Sequence, residues 1–353
     1  MALHNLWYYP RGSYSQANTS SECRLPLTAL GLMDFVLRPF NLADAGHQEA
    51  AASLWTRACG KAFTLPPRAI AYNTHPCLGA VQAGQFAFVD TKPSGFVMAS
   101  LLRDDPRVSP PDFGWIDALV VVPEFRRRGI GRALLAWGEA WLRGRGCTTA
   151  RLGGSLRAFL PGLPAELGST DFFHAGGYVA RNQNAEVWDL GRDLREYTSP
   201  TFVRNLNASI RPVLSQDIDA LRDFYLREFP GRWRYEFEQH LRDGARLSDY
   251  MILVTPRGIE ACCLMTLEDS LRPIERFYPS PLRPPWGQVG TIGVSADRRR
   301  GGYGSALLDA ALCHLRERGV RGCIIDWTVL VEYYGRFGFV PHRRYLMRSK
   351  ELI

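Results

Sequence analysis

Two segments of the chain place arginine and glycine together directly after an apolar run. Residues Arg126 to Gly131 read Arg-x-x-Gly-x-Gly, and residues Arg299 to Gly304 read the same way. Glycine lets backbone N–H groups approach an anion closely, and a helix that begins there adds unpaired amides and the positive end of its dipole. Arginine adds charge-assisted hydrogen bonds. Each segment, called a cradle below, therefore predicts a binding site for a pyrophosphate group.

Two common phosphate-binding motifs fit these segments less well. A Rossmann fingerprint needs a third glycine and a later acidic residue, and a P-loop ends in Gly-Lys-Ser or Gly-Lys-Thr; neither pattern is present. The net charge of +8 is compatible with a nucleic-acid surface or with pockets for a polyanionic small ligand. Because the arginines cluster at the two cradles instead of alternating with aromatic residues, the small ligand is favoured and nucleic acid is not expected as a partner.

The cradles belong to a longer internal repeat. Arg38–Pro39 returns as Arg211–Pro212, and Arg145–Gly146 returns as Arg318–Gly319, each 173 positions later, which is also the spacing of the two cradles. A constant shift of this kind indicates a duplicated domain. The length of 353 residues independently suggests about two hydrophobic cores.

The repeat predicts how the chain is divided. Residues 33–195 form the first domain, 196–208 a polar linker and 209–353 the second domain, while residues 1–32 are an N-terminal extension without a counterpart. That extension could be a strap over a neighbour or the product of a misread start. A strand over Glu186–Leu190 is expected to be the last of the first domain.

Each repeat unit has the same predicted order of elements: strand, helix, apolar hairpin, buried strand, cradle, amphipathic helix and strand. This order predicts an α/β protein with two tandem domains, each a mixed, twisted central sheet flanked by helices. The predicted ranges are Phe35–Arg38, Ala43–Ala58, Gln85–Leu102, Ile116–Val122, Gly131–Arg143 and Thr149–Leu152, then Ser209–Arg211, Gln216–Arg227, Tyr250–Leu267, Val289–Val294, Gly304–Glu317 and Gly322–Trp327.

Composition limits the class of protein further. No apolar run approaches the roughly 20 residues that cross a bilayer, and the N-terminus lacks the features of a signal peptide, so a cytoplasmic protein without a membrane partner is expected. The eight cysteines are scattered without metal-ligand spacing, which predicts reduced thiols and no metal. The sequence gives no prediction of the oligomeric state.

The two cradles with their flanking strands and helices closely resemble the GNAT (GCN5-related N-acetyltransferase) superfamily, in which this motif binds the pyrophosphate of acetyl-CoA. The resemblance covers both copies and implies acetyl-CoA as cofactor, up to one per domain, with the strand before each cradle pairing with the pantetheine arm. The implied cofactor-binding residues are Leu119, Val121, Arg126, Arg127, Arg128, Gly129, Ile130, Gly131 and Arg132, and Ile292, Val294, Arg299, Arg300, Gly301, Gly302, Tyr303, Gly304 and Ser305.

The resemblance also implies a general acid. The segment Glu332–Phe339 is similar to the family's aromatic-Tyr-x-x-x-Gly-Phe segment, whose second aromatic is usually the acid near the CoA sulfur, and this position is Tyr334. The first copy has Phe173 there, which cannot donate a proton, although the adjacent His174 could substitute. The second copy is therefore expected to be catalytic, and the first to be a binding or scaffolding domain or an enzyme that manages with water.

A general base is needed because free alkyl amines are protonated at neutral pH. Asp326 at the end of an apolar strand is the first candidate, although an aspartate there could also be a helix cap or a turn former. Glu332 is the second candidate. In the first copy, Asp117 lies on the predicted cofactor strand, where a carboxylate is costly if it is buried but could also face solvent.

The expected acceptor of the acetyl group is indicated by resemblance to known proteins. Segments Gly153–Pro164 and Ile325–Thr328 resemble tandem GNAT proteins of glucosamine or glucosaminide acetylation, and the architecture also resembles mycothiol-synthase-like enzymes. Transfer of acetyl to a primary amine of a small molecule is expected, with an amino sugar as one candidate and Trp233, Trp286 and Trp327 as candidate ring platforms. A non-catalytic acyl-CoA sensor and an acetyltransferase acting on a protein amine are the alternatives.

Overall fold

The computed structural model describes residues 35–181, 184–277 and 281–352, so the predicted extension 1–32 lies outside the described residues. The α-helices are α1 (Ala45–Cys59), α2 (Pro67–Thr74), α3 (Ile130–Arg143), α4 (Thr170–Ala175), α5 (Ile218–Glu228), α6 (Arg232–Arg242), α7 (Tyr303–Glu317) and α8 (Val331–Gly335). The strands are β1 (Phe35–Pro39), β2 (Ala80–Val89), β3 (Lys92–Leu102), β4 (Phe113–Val121), β5 (Thr149–Leu152), β6 (Leu163–Pro164), β7 (Val179–Ala180), β8 (Glu186–Asp193), β9 (Ser209–Pro212), β10 (Tyr250–Thr255), β11 (Gly258–Leu267), β12 (Trp286–Val294), β13 (Gly322–Thr328), β14 (Val340–Leu346) and β15 (Arg348–Glu351).

Two mixed sheets organise these elements. The first has the order β1-β2-β3-β4-β5-β15-β7, and the second has the order β6-β14-β8-β13-β12-β11-β10-β9. In each sheet one pair is parallel, β4 with β5 and β12 with β13, and the pairs on either side are antiparallel. The predicted fold class, two mixed sheets flanked by helices, is confirmed.

The two copies exchange a strand. β8 comes from the first copy but lies between β13 and β14 of the second sheet, where Leu190 pairs with Ile325. β15, at the end of the chain, lies between β5 and β7 of the first sheet, where Ser349 pairs with Arg151. The interpretation of Glu186–Leu190 as the last strand of the first domain is therefore wrong in its placement. An apolar strand pattern is the same whichever sheet receives the strand, so periodicity could not distinguish the two outcomes.

The linker is fastened to the second copy. Tyr197 is fully buried, and its hydroxyl donates to Asp309 of α7 at 2.6 Å, while the Ser199 hydroxyl donates to the other oxygen of that carboxylate at 2.9 Å. The ring of Phe202 lies edge-on to Phe337, with ring centres 5.2 Å apart. The proposed boundaries at 195 and 209 stay a prediction.

The hydrophobic core of each copy contains side chains from the other copy. Tyr345 of β14 and the adjacent Met347 lie in the core of the first copy with Phe86 and Phe96. Leu190 of β8 lies in the core of the second copy. Because burial of a large apolar side chain stabilises by about 1.5–3 kcal/mol, these contacts link the stabilities of the two copies.

We expect Ser349→Pro to destabilise the first copy, although the substitution lies near the end of the chain. Proline removes an N–H donor from an inner strand, which costs about 1–3 kcal/mol for the acceptor left without a partner. Hydrogen–deuterium exchange at residues 149–152 should accelerate, with Ser349→Thr as the matched control that keeps the N–H. Unchanged exchange in those residues of the proline variant would contradict the exchanged topology.

Candidate active site

A wedge opens in each sheet where the parallel strands separate. Pairing of β12 with β13 ends after Trp286–Val289 meets Gly322–Ile325, and pairing of β4 with β5 ends after Phe113–Ile116 meets Thr149–Leu152. β12 and β4 continue beyond these points without a ladder partner on that edge among the described strands. A free edge of backbone N–H and C=O groups can pair with an extended chain that carries amides.

A β-bulge lies at the wedge in each copy. The pairing of β11 with β12 shifts register opposite Thr291, and the pairing of β3 with β4 shifts opposite Asp117. Thr291 has a φ of 49°, and its hydroxyl is buried without a partner among the described residues. Bulges re-aim backbone groups away from the ladder, so this position can direct polar groups into the wedge.

The cradles have the same backbone conformation in both copies. Gly129 and Gly302 precede α3 and α7 with φ values of 84° and 92°, and Arg127 and Arg300 both have a φ of 64°. The helices that follow begin with unpaired amides, which together with the dipole favour an anion. Both copies therefore retain the backbone geometry of a phosphate cradle.

The first arginine of each Arg-x-x-Gly-x-Gly motif donates hydrogen bonds to backbone carbonyls of the protein. Arg126 donates from Nε to the Val121 carbonyl at 2.9 Å and from Nη2 to the Ala58 carbonyl at 2.7 Å. Arg299 donates from Nε to the Val294 carbonyl at 3.2 Å. These two arginines hold the turn against the preceding strand, and they are exposed, as Arg127 and Arg300 also are.

The other predicted cofactor residues lie along the same path. Leu119, Val121, Ile292 and Val294 lie where β4 and β12 have separated from β5 and β13; Arg128 and Gly301 lie in the turns; Ile130, Gly131, Arg132, Tyr303, Gly304 and Ser305 lie in the first turns of α3 and α7.

The surroundings of the two cradles differ. A Cβ at Gly302 would lie 3.1 Å from Cδ of Arg204, whereas a Cβ at Gly129 would meet nothing within 4 Å. Arg204 comes from the linker, and it adds an exposed positive charge beside the second cradle. Sequence reasoning missed it, because the contact depends on the path of the linker over the second copy.

Tyr334 lies in α8 at the second wedge. A Cβ at Gly304 would lie 3.4 Å from the Tyr333 hydroxyl, and a Cβ at Gly131 would lie 3.3 Å from the Phe172 ring. The residues that follow these rings, Tyr334 and Phe173, are therefore structural equivalents, as the alignment of the motifs predicts. Tyr334 is 7% exposed.

Tyr334 carries a protonated hydroxyl at neutral pH. The pKa of this phenol is raised well above its usual range by burial, and then by its neighbours Tyr333, Asp326 and Cys263. No other side chain in the described residues hydrogen-bonds to it. The second copy thus holds a neutral phenol near a carboxylate, and the first copy holds a phenyl ring.

Asp326 is partly buried and belongs to a series of polar side chains that contact one another. Gln288 donates from Nε2 to Oδ1 of Asp326 at 2.8 Å and accepts from the Thr266 hydroxyl at 2.8 Å. Nη2 of Arg272 lies 3.5 Å from Oδ2 of Asp326. A Cβ at Gly290 would lie 2.9 Å from Oδ1, so the glycine lets the carboxylate approach β12 closely. These contacts are those of an oriented carboxylate and not of a helix cap.

The exchanged strand β8 brings a second carboxylate to this place. Asp189 accepts hydrogen bonds from the Trp327 backbone N–H and from the Tyr345 hydroxyl, both at 2.8 Å. Burial and the nearby Asp326 raise the pKa of Asp189 to about 7. Because Trp327 has an unfavourable φ of 49°, Asp189 stabilises the turn that positions Asp326. Sequence reasoning missed Asp189, since β8 was expected in the other sheet.

The remaining candidates for proton transfer are placed differently. Glu332 is exposed on α8, and His174 is exposed on α4. Asp117 is buried and accepts hydrogen bonds from Gln82 Nε2 at 2.8 Å and from the Ser100 hydroxyl at 2.7 Å. Burial raises the pKa of Asp117 to about 6. Its carboxylate therefore does not face solvent.

The insertion after β5 fills one face of the first wedge. Phe159 is fully buried and lies 5.4 Å, between ring centres, from Trp55 of α1, in a cluster that includes Ala118 and Val120 of β4. In the second copy, β13 leads to α8 through a short turn that carries no such insertion. Space beside the cofactor strand is thus occupied by the protein itself in the first copy.

The three tryptophans do not form one platform. Trp286 begins β12 and donates to the Leu282 carbonyl at 2.9 Å, whereas Trp233 packs on Phe229 beside Gly293, near the other end of β12. Trp327 lies under the guanidinium of Arg232, 4.7 Å from its ring centre, and near Gly154 of the first copy.

Metal-ligating clusters and membrane-spanning helices are both missing from the described part of the chain. Within residues 35–181, 184–277 and 281–352, no cluster of three or more histidine, cysteine, aspartate or glutamate side chains is arranged to hold a metal ion. In the same ranges no helix combines the length and apolarity needed to cross a bilayer.

We expect Asp189→Asn to fold and to alter how stability depends on pH. The pKa of Asp189 is about 7 in the folded protein and about 4 in an unfolded chain, so its stabilising protonation is complete below about pH 4 and is lost as the pH rises to about 7. That loss is about 1.4 kcal/mol per pH unit. Asparagine can accept from the Trp327 N–H and donate to the Tyr345 hydroxyl oxygen, and it does not ionise.

Urea unfolding of both proteins between pH 4 and 8 measures this effect. The variant should gain stability relative to wild type as the pH rises to 7 and then keep a constant difference. Parallel pH dependences would show that Asp189 is not a buried acid with a raised pKa.

Comparison with known proteins identifies the family. The sequence pattern of the acetyltransferase (GNAT) family matches residues 49–157 and 218–339, more than half of the chain. A mycothiol acetyltransferase of Cellulomonas flavigena is 28% identical over 233 residues, which are 63% of this chain and 63% of that protein. The match thus spans less than two thirds of that relative.

Two solved structures share the tandem fold. The glucosamine N-acetyltransferase-containing, multi-domain GH3 β-N-acetylglucosaminidase of a fungus has a TM-score of 0.79 at 22% identity, covering 91% of this chain and 39% of that one. A tandem GNAT protein from the clavulanic acid biosynthesis pathway has a TM-score of 0.66 at 18% identity, covering 91% and 99%. The predicted tandem architecture is confirmed, and the chain belongs to the acetyltransferase (GNAT) family.

Proposed function

We propose that the protein transfers an acetyl group from acetyl-CoA to a primary amine of a small molecule, and that the second copy is the catalyst. The observation that carries this proposal is that Tyr334 and Asp326 are neighbours, with Asp326 against the middle of β12, the strand that leads to the second cradle. A buried, protonated phenol can deliver a proton, and an oriented carboxylate can accept one.

The second copy has the features that a CoA-binding site needs. The left-handed glycine at 302 exposes the first amides of α7 to a pyrophosphate, and Arg204 and Arg300 can add charge-assisted hydrogen bonds. The free edge of β12 between Gly290 and Val294 can pair with the amides of a pantetheine arm. When bound there, acetyl-CoA supplies the activated acyl group as a thioester.

Proton transfer is assigned to two residues. Asp326 accepts the proton that the ammonium group must lose before it can attack, and its bonds to Gln288 and Arg272 keep it oriented. Tyr334 donates a proton to the departing sulfur. Backbone N–H groups near the bulge at Thr291 are candidates to stabilise the developing negative charge on oxygen. Glu332 is the weaker base because it is exposed and lies outside this series of polar side chains.

The first copy is proposed to be a scaffold that retains a cradle. Phe173 replaces the phenol, and Phe159 fills the face of β4 on which an acceptor would lie. The same copy supplies Asp189 to the second site and accepts hydrogen bonds from Arg232 at the Gly154 and Ser155 carbonyls, both at 2.7 Å. Its contribution to catalysis is therefore proposed to be positional.

A small-molecule amine is proposed as the partner in preference to a protein amine, a nucleic acid or a membrane. The relatives include a mycothiol acetyltransferase and a protein with a glucosamine N-acetyltransferase region, and these names support an acceptor of small size. An amino sugar is one class to test. An acyl-CoA sensor without turnover is the alternative, which a buried acid and base beside the cradle make less favourable.

Replacement of Tyr334 by phenylalanine tests the assignment of the acid. Loss of a positioned proton donor should lower kcat by about 10²–10⁴-fold, while acetyl-CoA affinity stays unchanged because the ring remains. The matched control is Tyr333→Phe, which removes the neighbouring hydroxyl and should change kcat only slightly. Thiol release from acetyl-CoA with a panel of amines provides the rates, and equal effects of the two substitutions would refute the role of Tyr334.

A further inference from the structure

Two arginines beside Asp326 are buried with few acceptors. Arg272 and Arg276 are only 9% and 8% exposed. Nε of Arg272 is buried without a hydrogen-bond partner, and the guanidinium of Arg276 has the Phe277 ring at 5.0 Å but no hydrogen-bond acceptor among the described residues. A guanidinium carries five N–H donors, and its burial without acceptors is costly.

The charges around these arginines do not balance. Three guanidinium groups, those of Arg232, Arg272 and Arg276, lie near the carboxylates of Glu236 and Asp326. Two further carboxylates nearby are already engaged: Asp189 accepts from the Trp327 N–H and the Tyr345 hydroxyl, and Asp249 is paired with Arg246. Arg232 donates from Nε to Glu236 at 2.6 Å, and Arg272 faces Asp326 at 3.5 Å, so the charge of Arg276 is left without a dedicated partner. Unpaired buried charge is strongly destabilising, which suggests that an anion completes this cluster.

Neighbouring titratable groups do not correct the imbalance. Burial and the charge of Arg272 lower the pKa of His240 to about 4, so this imidazole is neutral and adds no charge near neutral pH. Burial and Arg272 also lower the pKa of Arg276, to about 10, so the guanidinium remains protonated. The missing negative charge therefore has to come from outside the cluster.

A water molecule accounts for only part of this pattern. A cavity of about 10 Å³ beside Arg272 is also lined by Thr266 and Ser270, and it has room for about one water. Arg276 does not line it. A water there can satisfy a donor of Arg272 but supplies no negative charge.

We propose that Arg272 and Arg276 bind an anionic group of the acceptor, so that the amine substrates of this protein also carry a carboxylate or a phosphate. The proposal rests on the proposed function, because it takes Asp326 as the group that the amine approaches. Guanidinium groups bind both kinds of anion through paired hydrogen bonds. An acceptor with one ammonium for Asp326 and one anionic group for the arginines matches the charge of the cluster.

The position of the arginines favours the acceptor over the phosphates of CoA. Arg272 contacts Asp326, which lies against Gly290 in the middle of β12, whereas the cradle follows the far end of that strand at Val294. The anionic group should therefore lie only a few bonds from the reacting amine.

Binding of matched ligands tests this proposal without relying on turnover. Glucosamine 6-phosphate is compared with glucosamine, and glycine with glycinamide, by calorimetry on the full chain saturated with CoA at constant ionic strength. Saturation keeps the phosphate probe out of the cradle. We expect the anionic member of at least one pair to bind about 10–100-fold more tightly, as a charged hydrogen-bonded contact predicts. The pair that shows the preference distinguishes phosphate from carboxylate.

Variants assign the preference to the arginines. Arg276→Met should remove the preference and leave the affinity for the neutral ligand unchanged, whereas Arg321→Met, an exposed control with the same loss of charge, should retain it. Arg272→Met should remove the preference together with part of the affinity for neutral amines, because Arg272 also orients Asp326. Unchanged binding of CoA shows that a variant is folded. Equal affinities for anionic and neutral ligands, or a preference that survives Arg276→Met, would overturn the proposal.

Turnover separates this inference from the proposed function. If neutral amines are acetylated as efficiently as anionic ones, the protein is an acetyltransferase but the anion site is wrong. If the anionic ligands bind through Arg276 and no amine in the panel is acetylated, the anion site stands and the proposed reaction fails.

Discussion

The exchange of β8 and β15 is the constraint on which the rest of this structure depends. Each sheet obtains an inner strand from the other copy, so separating the copies would break backbone ladders on both sides of two strands. The cores follow the same exchange, since Tyr345 lies among residues of the first copy and Leu190 among those of the second. Even if the first copy catalyses no reaction, the second sheet still needs it, because the first copy supplies β8.

The exchange of strands also brings a residue of the first copy to the wedge in the second sheet. β8 carries Asp189 to the turn after Asp326, where it holds the N–H of a residue with unfavourable φ. On the other side, Arg232 ties α6 to carbonyls of the insertion in the first copy. The series Thr266–Gln288–Asp326–Arg272 is thus enclosed by groups from both copies. Enclosure strengthens its electrostatic interactions and raises the cost of any charge left unpaired.

Much of the fold could be predicted from the sequence because its signals are local. Strand and helix periodicity, the glycines of the cradles and a constant shift of 173 positions locate the elements within a few residues. The equivalence of Tyr334 and Phe173 was also predictable, since a glycine and an aromatic residue follow each at the same spacing, at Gly338–Phe339 and Gly177–Tyr178. The exchange was not predictable, because pairing between distant strands is invisible to periodicity.

The residues of the candidate site could likewise be predicted from the sequence only in part. Asp326 could be proposed from its position at the end of an apolar strand, but its partners Gln288 and Arg272 come from two other elements. Arg204 and Asp189 reach the second site only through the path of the linker and the exchange of a strand. Such contacts depend on long-range packing, for which a single sequence carries no local signal.

Acetyl-CoA-dependent thiol release by a matched pair of cradle variants tests the central claim that the second copy is the transferase. Gly129 and Gly302 have similar positive φ values, so replacing either by glutamate adds similar backbone strain and a negative charge where a pyrophosphate would bind. We expect Gly302→Glu to lose about 100-fold or more of the activity and Gly129→Glu to stay near wild type. Loss of activity in Gly129→Glu with retention in Gly302→Glu would contradict the account and assign the chemistry to the first copy.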